Sequence, residues 1–563
     1  MGYLTKVVIF LIIFTYNIAG AFADITYKNN NNKNLFFKTD QDIKIKLYVS
    51  PADIKTFNKT VQLLNKRDWS EALSWADSIK SENLKDAMVE YVLWKKYSNL
   101  PQSSAETEFD NLLDFIMNHQ YLPNIKDLKV KAENMYINSK IPYQFAEKYF
   151  NTIKPVNTRT AVRILKDKYS LATNKNDPKL VNEIITTFNE YNFNNDELVN
   201  FLAYFDSYLN ESNYANKVEN LLWNKDFNDA KLLMGRLNNE NRVLYSAIIE
   251  INKNPRYINN ILRSISKNLR ENELLLYTRA VYEHKNKNSK DVIKILLEFK
   301  NKSSHPDKWW VYQKYYTREL IRNKDYKKAY FLSANHNLKK GTADYSEAEW
   351  MSGWIALTFL NKPKDAYYHF YNMYNSVSYP ISKSRGAYWA GRAMEADKNT
   401  EEAVNWYNIA SQYPLYFYGQ LSYHAKNELL GIPSLADKNP LPNTPKFTKE
   451  EETSALENNI VKIAYLMAKC GENRNDYTNL FTIAINSAKS KGEMSAIFEI
   501  IKNTGDEALI TKFAKYLTYK DVYFVDNLFP ILNIINTENP NSNLIHSIIK
   551  QESGFHVSAE SRV

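Results

Sequence analysis

Beyond its N-terminal segment the chain places apolar side chains at spacings of three and four, the signature of amphipathic helices. Trp69, Ala72, Leu73, Ala76 and Ile79 fall on one helical face, and Leu84, Ala87, Met88, Tyr91 and Trp94 repeat the pattern a few residues later. Together they predict a helical hairpin. No convincing apolar–polar alternation of the kind a half-buried strand needs interrupts the series, so the expected class is all-α. Between Asp344 and Pro414 the hairpins carry a loose repeat. Gly391 is followed by Ala403, Tyr407, Ala410 and Pro414, close to the spacing of a tetratricopeptide-like unit, and Gly353, Ala366 and Phe370 precede it one residue out of register. A hairpin of two short helices cannot bury its apolar face alone. Neighbours must stack, and a small constant rotation between them generates a superhelical α-solenoid of degenerate repeats.

The pattern breaks between Gly431 and Lys446, where Pro433, Pro440, Pro442 and Pro445 exclude a helix and mark a linker. Thr448 and Glu451 then form a capping-box pattern, which predicts a helix running to Cys470 and ending at Gly471. At the other end, Lys6 precedes an apolar run from Val7 to Phe14, followed by Ala21-Phe22-Ala23. This is the layout of a cleaved signal peptide over residues 1–23, and the apolar run is too short for the ~20 residues that span a bilayer. Export to the periplasm is the expectation. The resulting division is a signal peptide over 1–23, a superhelical domain over 24–433, a helical linker domain over 434–535 and a last segment over 536–563.

Composition narrows the chemistry. With only 13 glycines in 563 residues, and neither a Gly-x-Gly-x-x-Gly nor a P-loop, there is no glycine-cradled phosphate site and no nucleotide is expected. The single cysteine, Cys470, excludes an internal disulfide, a zinc knuckle and a redox pair, and no metal or other cofactor is expected. The formal charge of +10 is spread over the chain, with no lysine–arginine block or arginine–aromatic interleaving that would follow a nucleic-acid backbone. A generally cationic surface is the simpler reading; it also suits an anionic cell-wall polymer and peripheral association with the envelope. Nothing in the sequence fixes the oligomeric state. Trp309, Trp310, Trp350, Trp354, Trp389 and Trp406 offer stacking platforms for sugars along a concave wall, or simply pack between helices. Packing is the simpler of the two.

Candidate chemistry is concentrated in the last segment. Asn541 or Ser542 can cap a helix that Gly554 ends, with Ile545, Ile548 and Ile549 at i, i+3 and i+4 and Glu552 at i+7. A carboxylate on an apolar stripe faces a core or a cleft, where desolvation favours its protonated form, as a general acid requires. The competing reading is a glutamate in a frayed last turn, turned to water.

The run Ile548-Ile549-Lys550-Gln551-Glu552-Ser553-Gly554-Phe555 resembles the first catalytic motif of the soluble lytic murein transglycosylases. Upstream, Glu349-Trp350, Gly353-Trp354, Pro380-Ile381-Ser382, Tyr388 through Ala393 and Phe417 through Leu421 resemble that family's superhelical domain in order and spacing. His556-Val557 and Lys550 depart from the family's usual residues at their positions. The resemblance implies that residues 536–563 begin a lysozyme-like catalytic domain, with Glu552 as the catalytic glutamate and Ser561 beside it in the substrate site. It implies an enzyme that cleaves peptidoglycan glycan strands between N-acetylmuramic acid and N-acetylglucosamine, leaving a 1,6-anhydro end, with no cofactor. Because the sequence stops at Val563, before the family's next motif, a truncated catalytic domain without activity is the accompanying expectation. The alternatives are an inactive superhelical scaffold and a periplasmic repeat adaptor for protein partners.

Overall fold

The computed structural model describes residue 47 and residues 49–100, 106–299, 303–433, 441–532, 541–555 and 559–560. The predicted signal peptide, His556-Val557 and Ser561 lie outside the described residues. Described residues are overwhelmingly helical, and they contain no helix long and apolar enough to cross a membrane. The described residues fall into two compact units, one within residues 47–528 and one within residues 529–560.

The larger unit is a succession of helical hairpins, and one turn recurs between their helices. Arg67, Lys225, Lys287, Lys324 and Lys398 all adopt left-handed backbone with φ of 60° to 66°. Each is followed by Asp or Asn: Asp68, Asp226, Asn288, Asp325 and Asn399. At each turn these two residues donate their backbone N–H groups back into the preceding helix. In the turn at Lys398, for example, Lys398 N bonds Glu395 O at 3.0 Å and Asn399 N bonds Met394 O at 3.0 Å. This satisfies helix-end carbonyls that would otherwise lack partners. The Asp or Asn then opens the next helix; Asp68, Asp325 and Asn399 accept the N–H groups of Glu71, Lys328 and Glu402. One pair of adjacent residues therefore ends one helix and begins the next.

Packing follows the predicted register. Ala72 and Ala76 of helix Trp69–Asp77 and Leu84, Ala87, Met88, Tyr91 and Trp94 of helix Glu82–Asn99 are buried, as the hairpin reading requires. In the repeat between Asp344 and Pro414, Gly391 faces Tyr407 so closely that a β-carbon would lie 2.7 Å from the ring, and Gly353 stands in the same relation to Phe370. The glycines exist to admit those rings. Of the six tryptophans considered as sugar platforms, Trp309, Trp310 and Trp406 pack between helices, whereas Trp350, Trp354 and Trp389 are only partly buried.

Four apolar cores follow one another along this unit. The second, third and fourth span Val162 to Leu275, Ala280 to Ile355 and Ala356 to Ala410. The first joins both ends of the unit, holding residues from Leu47 to Ile164 together with residues from Ala455 to Leu528. Helix Asn459–Cys470 packs on helices Pro51–Asn65 and Glu82–Asn99. At its margin Lys95 pairs with Asp476 at 3.6 Å. The solenoid thus returns to its own beginning, which the sequence left open.

The helix expected from Thr448 to Cys470 is two helices. Thr448 and Glu451 make the capping box, but the first helix ends at Glu457 and a second runs from Asn459 to Cys470. Asn458 interrupts them because its side chain accepts the N–H groups of Ile460 and Val461, an asparagine competing with the continuing helix for backbone donors. Gly471 ends the second helix in left-handed conformation at φ 74°, as predicted.

Candidate functional site

In the smaller unit, the Asn541 side chain accepts the N–H of Asn543 at 2.8 Å and opens the helix Ser542–Glu552. Beyond it Gly554 at φ 58° and Phe555 at φ 66° are both left-handed. That conformation costs a phenylalanine ~1–2 kcal/mol, and its ring is buried at 5% exposure, so apolar burial offsets the strain. His546 is the helix's polar anchor. Its Nδ1 lies 2.7 Å from Ser542 O, and its Nε2 accepts the N–H of Leu532 at 3.0 Å. With Nε2 accepting, Nδ1 is the ring nitrogen that donates, to Ser542 O. Lys550 lies over the Phe529 ring, 3.2 Å from its centroid.

Glu552 occupies the last turn of this helix and is exposed. Leu544 and Ile548 are exposed as well, at 55% and 51%, and stand two turns and one turn before it, respectively, on the same face. No residue of the helix is buried. The expected desolvation of this carboxylate is therefore absent within the described residues, and the turned-to-water reading describes them better. Among the described residues Glu552 has no hydrogen-bond or ion-pair partner. The sequence singled out Glu552 but missed His546 and the strained Phe555. A histidine four residues after Ser542, in reach of a helix carbonyl, was the available signal for the first.

The larger unit carries a buried ionisable cluster that the sequence reading did not single out. Glu349, on helix Ala343–Thr358, is 5% exposed; its carboxylate lies 2.5 Å from His369 Nδ1 and 3.6 Å from His336 Nε2. His336 Nδ1 accepts the N–H of Leu338, and His369 Nε2 faces the Tyr330 hydroxyl at 3.1 Å. Burial pushes the Glu349 carboxyl up, but the hydrogen bonds from His336 and His369 outweigh it and hold it down to about 2. Every polar end in the cluster is paired, so it locks three helical segments together. It leaves no free group for catalysis.

No protein-family profile matches the chain, and no curated protein sequence matches it. Solved structures do. An inactive mutant of the lytic transglycosylase Slt from Pseudomonas aeruginosa matches with a TM-score of 0.59 at 14% identity, over 90% of this chain and 78% of that one. The 70 kDa soluble lytic transglycosylase of Escherichia coli matches with a TM-score of 0.52 at 13% identity, over 91% of this chain and 78% of that one. A complex of the 70 kDa soluble lytic transglycosylase with bulgecin A gives 0.51 at 12% identity, over 90% and 78%. The chain has the all-α superhelical fold of these proteins.

Proposed function

We propose that the protein is an exported lytic transglycosylase that acts on peptidoglycan glycan strands, with Glu552 as its single catalytic carboxyl and Ser561 in the substrate site. The observation that carries the reading is the coincidence of two independent likenesses. The fold is shared over nine-tenths of the chain with lytic transglycosylases, and Gln551-Glu552-Ser553 ends a helix as that family's motif does. In the reaction, the Glu552 carboxyl gives its proton to the glycosidic oxygen as the bond to muramyl C1 breaks. The resulting carboxylate takes the proton of the muramyl C6 hydroxyl, whose oxygen closes on C1. Protons balance, and neither water nor cofactor is consumed. A glycan strand laid over the exposed face bearing Leu544, Ile548 and Glu552 supplies the desolvation a general acid needs.

A second reading has a specific observation behind it. Glu552 is exposed and without a partner among the described residues, as fits a murein-binding scaffold that does not cleave. Incubation of the protein with purified murein separates the two. Enzyme activity predicts release of 1,6-anhydro-muropeptides, lost by about a hundredfold or more in Glu552→Gln. Release that survives Glu552→Gln, or products with ordinary reducing ends, would refute the catalytic assignment, and sedimentation with murein without release would favour the scaffold. The same proposal places the protein in the periplasm after removal of residues 1–23. N-terminal sequencing of the exported protein is expected to begin at Asp24, and an intact Met1 there would exclude cleavage.

A further inference from the structure

The turn inside each hairpin of the larger unit differs in charge from one hairpin to the next. Counted from the last residue of one helix through the third of its partner, residues 65–71, 223–229 and 396–402 carry net charges of 0 (2 − 2), −1 (1 − 2) and −2 (1 − 3). Three consecutive hairpins behave otherwise. Their turns, residues 285–291, 322–328 and 358–365, hold nine cations against three acids, a surplus of +6 (9 − 3). All nine cations are exposed. Lys328 is engaged by Asp325 at 2.6 Å and Lys362 by Asp365 at 3.0 Å, and the other seven have no ion-pair partner among the described residues. Glu283, the acid just before the first of these turns, is held by the side chain of Asn288, which donates to it at 2.6 Å.

No basic block marks this surface in the sequence, because whole hairpins separate the three turns. Folding assembles it. Stacked hairpins set their equivalent turns along one edge, and a single apolar core, from Ala280 to Ile355, holds the helices that lead into all three. The second and third turns touch: the rings of Tyr326 and Phe359 stack 4.3 Å apart with planes 4° from parallel, and the Lys362 ammonium lies 5.9 Å from the centroid of Tyr330. The first turn is tied in through His284, whose Nδ1 is 3.0 Å from the Tyr316 hydroxyl on helix Pro306–Arg322, the helix that leads into the second. The cations stand on exposed turns and do not line a groove. The cavity of about 840 Å³ that adjoins the first turn is acidic, with Glu271, Glu283, Asp291 and Glu298 against Arg279 and Lys294.

We propose that this edge docks on a lipid bilayer that bears anionic headgroups. A charged plane meets all three turns at once, and each lysine or arginine brought near it strengthens binding about five-fold. The gain falls away within a Debye length, ~8 Å at physiological salt, so it accrues to cations at the tips of turns and not to those set back along the helices. Tyr326 and Phe359, half-buried among the cations, add the aromatic character that settles at headgroup level. A single anionic strand fits less well, since it is best held in a basic groove and the cavity beside the first turn repels it. Docking would set these hairpins edge-on to the membrane. The proposal goes beyond the reaction assigned to Glu552 and does not depend on it.

The test is sedimentation of the full chain with vesicles of phosphatidylglycerol and phosphatidylcholine in equal parts, and with vesicles of phosphatidylcholine alone. The neutral vesicles report any contact made by the apolar run Val7 to Phe14, which needs no charge. The protein is expected to bind the anionic vesicles at least ~ten-fold more tightly, and salt at ~1 M, where screening shortens to ~3 Å, should remove the difference. Two variants, each lacking four exposed cations, separate this edge from net charge. Lys287→Gln, Lys290→Gln, Lys324→Gln and Lys364→Gln together are expected to bring binding down to the neutral level with an unchanged melting temperature. Lys66→Gln, Arg67→Gln, Lys225→Gln and Lys398→Gln together, taken from the equivalent turns of other hairpins, are expected to leave it within about two-fold. No preference for the anionic vesicles, equal losses in the two variants, or tighter binding to octathymidylate than to the anionic vesicles would each overturn the proposal.

Discussion

Glu349 shows how much a single residue can contribute and how little of that is legible in sequence. Its neighbours His336 and His369 lie thirteen residues before it and twenty after, with no local periodicity to connect them. Only the packing of helices Ala343–Thr358 and Pro363–Ser376 with the connection that carries His336 brings the imidazoles onto one carboxylate. Because its folded pKa is depressed from 4.5 to about 2, Glu349 binds fewer protons in the folded chain than in the unfolded one throughout that interval. Its contribution is therefore complete above about pH 4.5 and is lost as pH falls toward 2, by up to ~3 kcal/mol at 1.36 kcal/mol per pKa unit. Urea unfolding at pH 6 and pH 3 is expected to show a steeper loss of stability for the wild type than for Glu349→Gln. Parallel losses would mean that the cluster does not hold this proton equilibrium. Gly391 is the opposite case. Its partner Tyr407 was legible, because a small residue and an aromatic at repeat spacing state a contact that the fold then makes.

Among the elements, what the sequence announced best were helices with period and caps, such as the first hairpin and the capping box at Thr448. What it announced poorly were the places where one local interaction overrides another. Asn458 splits a helix that its apolar pattern would have continued, since a side-chain cap competes with the helical ladder. The recurring turn was present in the sequence as a basic residue followed by Asp or Asn, yet lysine and arginine carry no turn preference that marks it. Only the backbone reveals left-handed conformations at five equivalent positions. A residue with a β-carbon pays ~1 kcal/mol or more there, which glycine avoids. Lys398→Gly is accordingly expected to stabilise the protein by about 1 kcal/mol, read as a rise in the urea midpoint with an unchanged slope. A lowered midpoint would mean that the lysine side chain contributes more than its backbone strain costs.

For the molecule as a whole, the sequence yielded a solenoid but not its return, because no local pattern distinguishes a helix that stacks on its predecessor from one that meets residues four hundred positions earlier. The candidate site divides the same way: Glu552 and its helix were legible from motif and spacing, whereas its exposure and the His546 anchor depend on which groups come within reach in three dimensions. Closure has a measurable consequence. Leu466 is fully buried in the core shared by the two ends of the larger unit, on the helix that packs against Pro51–Asn65 and Glu82–Asn99. Truncating a buried leucine to alanine costs ~2–5 kcal/mol, since the cavity it leaves collapses only in part. In a linear array that cost would be felt by the sequence neighbours of the helix and would fade along the repeats. In the closed arrangement it must reach the opposite end of the chain first. Leu466→Ala is therefore expected to lower hydrogen-exchange protection of the amides in Pro51–Asn65 and Glu82–Asn99 by one to two orders of magnitude, while those of Pro380–Ala396, nearer in sequence, change little. Loss of protection in Pro380–Ala396 with none in the first helices would show that the two ends do not share a core in solution.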